Sequence, residues 1–218
     1  MRQTPGGLMA ARLTLTAPDK ATFTLIAMHH VAEQGFYDTA RSDLAAHDAV
    51  LCEGGGRAGG LIAWIHGLAA GGDLTTQAKA LSWNGEAHWY NADMDRTELL
   101  RRLRAVGWLR LAAAVGVLIP GALLLRIGWI RRWIDAGRSD IEEDLSALES
   151  VFGSSLHKLV VTDRDAILAG HCAAMMDGWA GCRIAVPWGA GHIPQLAEFL
   201  VEQHGYEISD IRWWRVSD

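Results

Sequence analysis

The chain has 218 residues, half of them hydrophobic, and a formal net charge of −5. This suits one sizeable globular core, excludes a disordered chain and gives no general case for nucleic-acid binding. Three cysteines (Cys52, Cys172, Cys182) without a CxxC spacing argue against a disulfide framework and for a reducing, cytoplasmic compartment. Residues 1–7 have no uninterrupted apolar run of signal-peptide length, so secretion by that route is not expected.

In chain order, residues 11–17 alternate apolar and polar and predict an edge strand. Residues 23–28 predict an inner strand that runs into His29 and His30. Residues 34–46 predict a helix, with Phe36, Ala40 and Leu44 on its inner stripe. Residues 48–52 predict the next strand, parallel to the first as in a βαβ unit. A Gly-rich loop, a short apolar segment (61–68), a helix (75–81) and a turn or strand (83–89) come next. Residues 91–95 form a polar junction.

Residues 96–138 differ in kind, with nine Arg, two acidic groups and a net charge of +7 against −12 for the rest. The centre, 111–125, is uncharged and broken by Pro120-Gly121. It is short of the roughly 20 residues needed to span a bilayer. A helical hairpin is predicted, within an insertion covering 96–150. Its apolar centre bordered by Arg suits either a membrane surface or a protein partner, including a second copy.

Ser139 and Thr162 each start a capping-box pattern, the second before a helix reaching 176. A strand (183–188), a helix (192–203) and a strand (206–216) complete the chain. The predicted class is α/β: a single domain over 1–218, with a mixed, mostly parallel sheet, flanking helices and the hairpin insertion.

The chemistry-bearing residues sit where apolar strands end, the usual place for ligands in open α/β sheets. His30 stands where the first inner strand is left. Its neighbour His29 points to the opposite face. Glu53 ends the second strand before Gly54-Gly55-Gly56, which permit positive φ. Gly189-Ala190-Gly191-His192 joins a strand to a helix, and its exposed amides suit an anion or oxyanion. His192 suits a ligand or base there. Arg164 shares a helical stripe with Ile167, Leu168, His171, Cys172 and Met175. A guanidinium on a buried face needs a carboxylate, for which Glu53 is the candidate. His171 is expected in the core. Asp93 either adds a carboxylate to the site or caps the following helix, and Gln77 is a weaker candidate. Each signal also has a plainer reading: a sheet-capping histidine, a solvated glutamate, a tight turn or a structural ion pair.

Together the pieces resemble the TraB/PrgY/GumN family, which includes the Tiki proteins and is distantly similar to the erythromycin esterase and ChaN-like folds. The matching residues are Ala27-Met28-His29-His30-Val31, Leu51-Cys52-Glu53, Asn91-Ala92-Asp93-Met94, Thr162-Asp163-Arg164-Asp165-Ala166, Gly189-Ala190-Gly191-His192 and His204-Gly205-Tyr206. The family pattern has two Gly-x-x-His elements and a glutamate; here the first is Ala27-x-x-His30. The resemblance implies a metal-dependent hydrolase of peptidase or esterase type. His30, Glu53, Arg164 and His192 would be catalytic, and His30, Glu53, His192 and Asp93 would hold Zn, Mn, Co or Fe. Gly189 and Gly191 would bind an anionic group. The substrate would be a peptide or small molecule. The rival expectations are a non-catalytic peptide- or ligand-binding protein and a protein whose hairpin docks on a membrane.

Overall fold

The structure is a computed structural model that describes residues 2–4, 7–54, 73–81, 88–107 and 157–217, with four isolated positions between 112 and 120. Its strands are β1 (Arg2–Thr4), β2 (Gly7–Thr16), β3 (Thr22–Met28), β4 (Val31–Glu33), β5 (Ala49–Cys52), β6 (Leu74–Thr76), β7 (Trp89–Asn91), β8 (Arg183–Gly189) and β9 (Glu207–Ser217). The helices are α1 (Gln34–Leu44), α2 (Gln77–Ala80), α3 (Arg96–Val106), α4 (Asp163–Met176) and α5 (Ile193–Glu198).

Seven strands form one sheet in the order β1-β2-β3-β8-β5-β7, with β9 added along β2; β4 and β6 make a separate ribbon. The pairs β3–β8, β8–β5 and β5–β7 are parallel. β2 is antiparallel to β1, β3 and β9, so β2 alone runs against the others. This is the α/β class that the sequence predicts, with a mixed sheet and flanking helices.

Two strand placements differ from expectation. The segment predicted as an edge strand is interior, because β9 pairs β2 from Leu8 to Thr16. The β3 and β5 strands are parallel but not neighbours. β8 lies between them, with Phe23 opposite Ile184 and Ala49 opposite Ile184 on its other side. Ile184 to Gly189 are all buried, and only a central position hides both faces of such a strand.

The helix α1 buries the predicted stripe of Phe36, Ala40 and Leu44, together with Tyr37. The expected helix at 75–81 is part strand, part helix, divided between β6 and α2. Thr162 does not cap α4. The chain is already helical from Lys158, and the Thr162 side chain makes no capping bond. The inner face of α4 carries Leu168, Cys172 and Met176. His171 is therefore exposed, not in the core. Of the predicted stripe, Arg164, Leu168 and Cys172 keep their inward place and Met176 extends it, while Ile167 and Met175 are half-buried at its flank and His171 falls outside.

Of the insertion, α3 is described. Asp95 caps it by accepting from the Glu98 amide at 2.9 Å, and Arg102 pairs with Asp163 at the head of α4. Most of the remaining 96–138 hairpin, the apolar segment 61–68, most of the 83–89 segment and the Ser139 capping box lie outside the described residues. Among the described residues, no helix is long and apolar enough to cross a membrane.

The core is built from β3, β5 and β8 with Tyr37, Trp188 and Tyr206. In register, Met28 lies opposite Gly189, and Cys52 lies opposite Asn91. Four parallel strands thus end together, and the residues just beyond their carboxyl ends share one region.

Candidate functional site

The centre of that region is a charge network. Arg164 donates from Nη2 to Glu53 Oε1 at 2.7 Å and to Asp93 Oδ2 at 2.7 Å, and from Nε to Asp93 Oδ1 at 2.9 Å. The side chains are largely buried, at 17% exposure for Arg164, 7% for Glu53 and 8% for Asp93. The bidentate grip on Asp93 uses the planar fork that only arginine supplies. Arg164 also lies 5.2 Å from the centre of the buried Trp188 ring, which favours a cation over its face.

Glu53 reaches the network because β5 ends at Cys52 and Gly54 turns the chain at φ +58°. A Cβ on Gly54 would lie 3.4 Å from Asp93 Oδ2, so glycine serves both the left-handed turn and the close packing. The other Glu53 oxygen, Oε2, accepts from the Gly189 amide at 2.7 Å. The anion expected at the Gly189 turn is therefore the protein's own carboxylate. Gly191 lies in the short helical turn Ala190–His192.

Burial alone would push the Glu53 carboxyl upward. The charges of His30, Arg164 and His192 and the Arg164 hydrogen bond outweigh it and hold Glu53 at about 2. Burial likewise opposes the Arg164 charge, and Asp93 and Glu53 reverse that, so its pKa is raised. Glu53 is thus an anion at every physiological pH and cannot donate a proton as a general acid.

Both histidines act electrostatically on Glu53, and each is oriented by a second group. His192 Nδ1 is 2.6 Å from Asp165 Oδ1. A carboxylate oxygen accepts, so Nδ1–H donates and Nε2 becomes the basic nitrogen. His30 Nδ1 is 3.1 Å from Gln77 Oε1, which sets the same tautomer. The backbone repeats that link, since the Gln77 amide donates to the His30 carbonyl at 2.9 Å. The ribbon of β4 and β6, which begins at Val31, brings Gln77 there.

The structure thus brings His30, Glu53, Asp93, Arg164, Gly189 and His192 into one neighbourhood. Of the two roles open to Asp93, it takes the site, and Asp95 takes the cap. The sequence places Asp165 in the capping pattern and the matching segment but gives neither it nor Trp188 a site role. Asp165 precedes Leu168 and Cys172 by three and seven residues, which puts it beside the buried stripe of α4. Trp188 stands edge-on to His192, with ring centres 5.3 Å apart, and donates from Nε1 to the Leu51 carbonyl at 3.2 Å.

The expected metal set of His30, Glu53, His192 and Asp93 does not fit a metal ion as arranged. Among the described residues, no three His, Cys, Asp or Glu side chains are grouped to hold one. Glu53 and Asp93 turn their oxygens to Arg164 and the Gly189 amide, and only the histidines keep the orientation that ligands show.

Compared with models of protein families, with curated proteins and with solved structures, the chain matches none.

Proposed function

We propose that this site is a hydrolytic acid–base centre acting on ester or peptide bonds, with His192 as the base that activates water. The observation that carries this reading is the 2.6 Å pair of His192 Nδ1 with Asp165, next to a buried glutamate held by Arg164 and the Gly189 amide. An imidazole tied through Nδ1 to a carboxylate presents Nε2 for a proton, and the carboxylate stabilises the imidazolium that forms. Glu53 adds negative potential that favours the same imidazolium. Arg164 positions Glu53 and Asp93 and keeps that charge compatible with burial. His30, tied to Gln77 at 3.1 Å, is the second proton-transfer group and would protonate the leaving atom. The resemblance of the His30-Val31, Glu53, Arg164-Asp165 and Gly189–His192 segments to the TraB/PrgY/GumN family supports hydrolysis.

The test is turnover of activated esters and fluorogenic peptides by the purified protein, after chelation and after adding Zn, Mn, Co or Fe. His192→Ala should lower turnover by about 10²–10⁴-fold, the usual contribution of a positioned base. Asp165→Asn should lower it by a smaller factor. Activity that depends wholly on added metal would replace water activation by His192 with the metal-dependent mechanism. No turnover under any condition would leave a binding protein. A specific observation favours that second reading: the described carboxylates at the site are already satisfied within the chain.

A further inference from the structure

The outermost strand, β9, is eleven residues long and pairs with β2 along one side only among the described residues. Natural sheets usually blunt such an edge with lysine, proline, a short strand or a cover. β9 has no lysine and no proline. It exposes Ile208 (46%), Ile211 (52%) and Trp213 (40%). Two irregularities interrupt it, at Ser209, where Thr14 faces Asp210 but Leu15 faces Ile208, and at Val216, where Met9 faces Arg215 but Leu8 faces Ser217. From Asp210 to Arg215 the pairing with β2 is regular.

The two faces of this regular stretch differ. Asp210, Arg212 and Trp214 share the face of α1, where Trp214 meets the Phe36 ring and Arg12 reaches Asp43. Ile211 and Trp213 share the other face with the half-buried Leu13 and Ala11 of β2. The sequence Asp210-Ile211-Arg212 is also antisymmetric in charge about Ile211, with Glu207 and Arg215 continuing the pattern outward.

We propose that β9 is a dimerisation edge whose partner is a second copy of this chain, the two β9 strands pairing antiparallel about a two-fold axis at Ile211. In that register, Ile211 lies opposite its own copy, and Asp210 lies opposite the partner's Arg212. The second Asp–Arg pair arises by symmetry. Directly opposed residues in an antiparallel pair bring their Cβ atoms to about 5 Å, and diagonal neighbours remain within reach of a tryptophan. Trp213 therefore covers the partner's Ile211, and the two sheets become one with a shared apolar strip. Sliding the axis to Trp213 would put Arg212 opposite Trp214 and lose both ion pairs. An axis between two residues would turn the apolar face of one copy to the α1 side of the other. Within one copy Asp210 already pairs with Arg212 at 2.8 Å and with Arg12 at 3.7 Å, and Asp210 and Arg212 keep 41% and 66% of their side chains exposed, so each can turn to the partner.

The experiment is sedimentation equilibrium on the full chain, with far-UV circular dichroism to confirm the fold of each variant. The wild type should show a reversible monomer–dimer equilibrium in the range of about 1–100 µM, the strength suited to a small interface. Asp210→Arg places like charges opposite each other, as does Arg212→Asp, and each alone should weaken self-association at least about tenfold. A mixture of these two single variants should form heterodimers, because every charge then meets its opposite. The double variant D210R/R212D should recover the wild-type equilibrium. Ile211→Lys, at an exposed position that the monomer tolerates, should abolish association. Wild-type protein that is monomeric at about 200 µM overturns the proposal. A dimer indifferent to both charge reversals and to Ile211→Lys overturns it too, since it is held by another surface.

Discussion

The two ends of the parallel strands share one core and treat polar groups in opposite ways. At the carboxyl ends, Glu53, Asp93 and Arg164 are charged and buried, with His30 and His192 beside them. At the amino ends, the charged pair Asp48–Arg183 stays in water at 49% and 60% exposure. Two buried polar groups there are neutral: the Tyr206 hydroxyl donates to the Ala21 carbonyl at 2.9 Å, and His47 bridges the Asp43 carbonyl and Thr24. Burying charge is unfavourable unless it is closely paired. Among the described residues, the carboxyl end gathers three buried charges with two histidines, whereas the nearest parallel at the other end is the single pair Arg12–Asp43, at 11% and 22% exposure, and that concentration is what the proposed chemistry rests on.

The largest expected effect tests the network directly. Arg164→Met preserves bulk and removes the only cation that touches both carboxylates among the described contacts. Leaving Glu53 and Asp93 buried without it should lower stability by about 3–5 kcal/mol, read from urea unfolding at neutral pH. Arg164→Lys should recover a minor part, since a lysine cannot grip Asp93 through two nitrogens while reaching Glu53. A loss under about 1 kcal/mol, the scale of exposed pairs, would place these ions in effective solvent and erase the contrast between the two ends.

The next effect is in acid. Glu53 titrates near 4.5 when unfolded and at about 2 in the fold. Its contribution is fully present above 4.5 and is lost as pH falls from there toward 2, as the unfolded chain takes up the proton first. The difference corresponds to about 3 kcal/mol at most. Glu53→Gln should be less stable than wild type at pH 7, and the gap between the two should shrink to under about half as pH falls to 3. A constant gap between them down to that pH would assign Glu53 no depressed titration.

Much of this contrast was legible in sequence, because strand ends announce themselves. Apolar runs closing on His30, Glu53 and Gly189 marked the carboxyl ends, and the need of a buried guanidinium for an anion tied Arg164 to Glu53. What was not legible depended on long-range pairing or on small rotations. The position of β8 between β3 and β5 is fixed by competition among three apolar strands, which no local pattern ranks. An edge strand and an inner strand differ only by the presence of β9, about 200 residues away. On α4 the inward stripe is narrower than predicted: Leu168 and Cys172 hold their place, His171 at its edge faces solvent, and Asp165 at its other edge meets His192. The Gly189 amide read as an anion site in general terms. Only the fold shows that the anion is Glu53.

The smallest effect belongs to the amino end. His47 Nδ1 lies 2.8 Å from the Asp43 carbonyl, which can only accept, so Nδ1 carries the proton. Nε2 is then the acceptor for the Thr24 hydroxyl at 2.9 Å. Both bonds are made by the neutral ring alone, because an imidazolium would turn a second donor on Thr24. Burial lowers the His47 pKa; the Asp43 carbonyl bond and carboxylate resist this, while Arg12 and Arg183 add to the lowering. The stabilisation is therefore complete above the unfolded value of 6.5 and declines as pH falls below it, because the unfolded chain binds that proton more readily. His47→Ala should lower stability at pH 8 by about 1–2 kcal/mol through the lost bonds, less than Arg164→Met. It should also flatten the decline in stability between pH 6.5 and 5, measured by thermal unfolding at closely spaced pH values. If the slope survives in the variant, some other histidine carries it. The amino end would then lack even this neutral buried group that titrates.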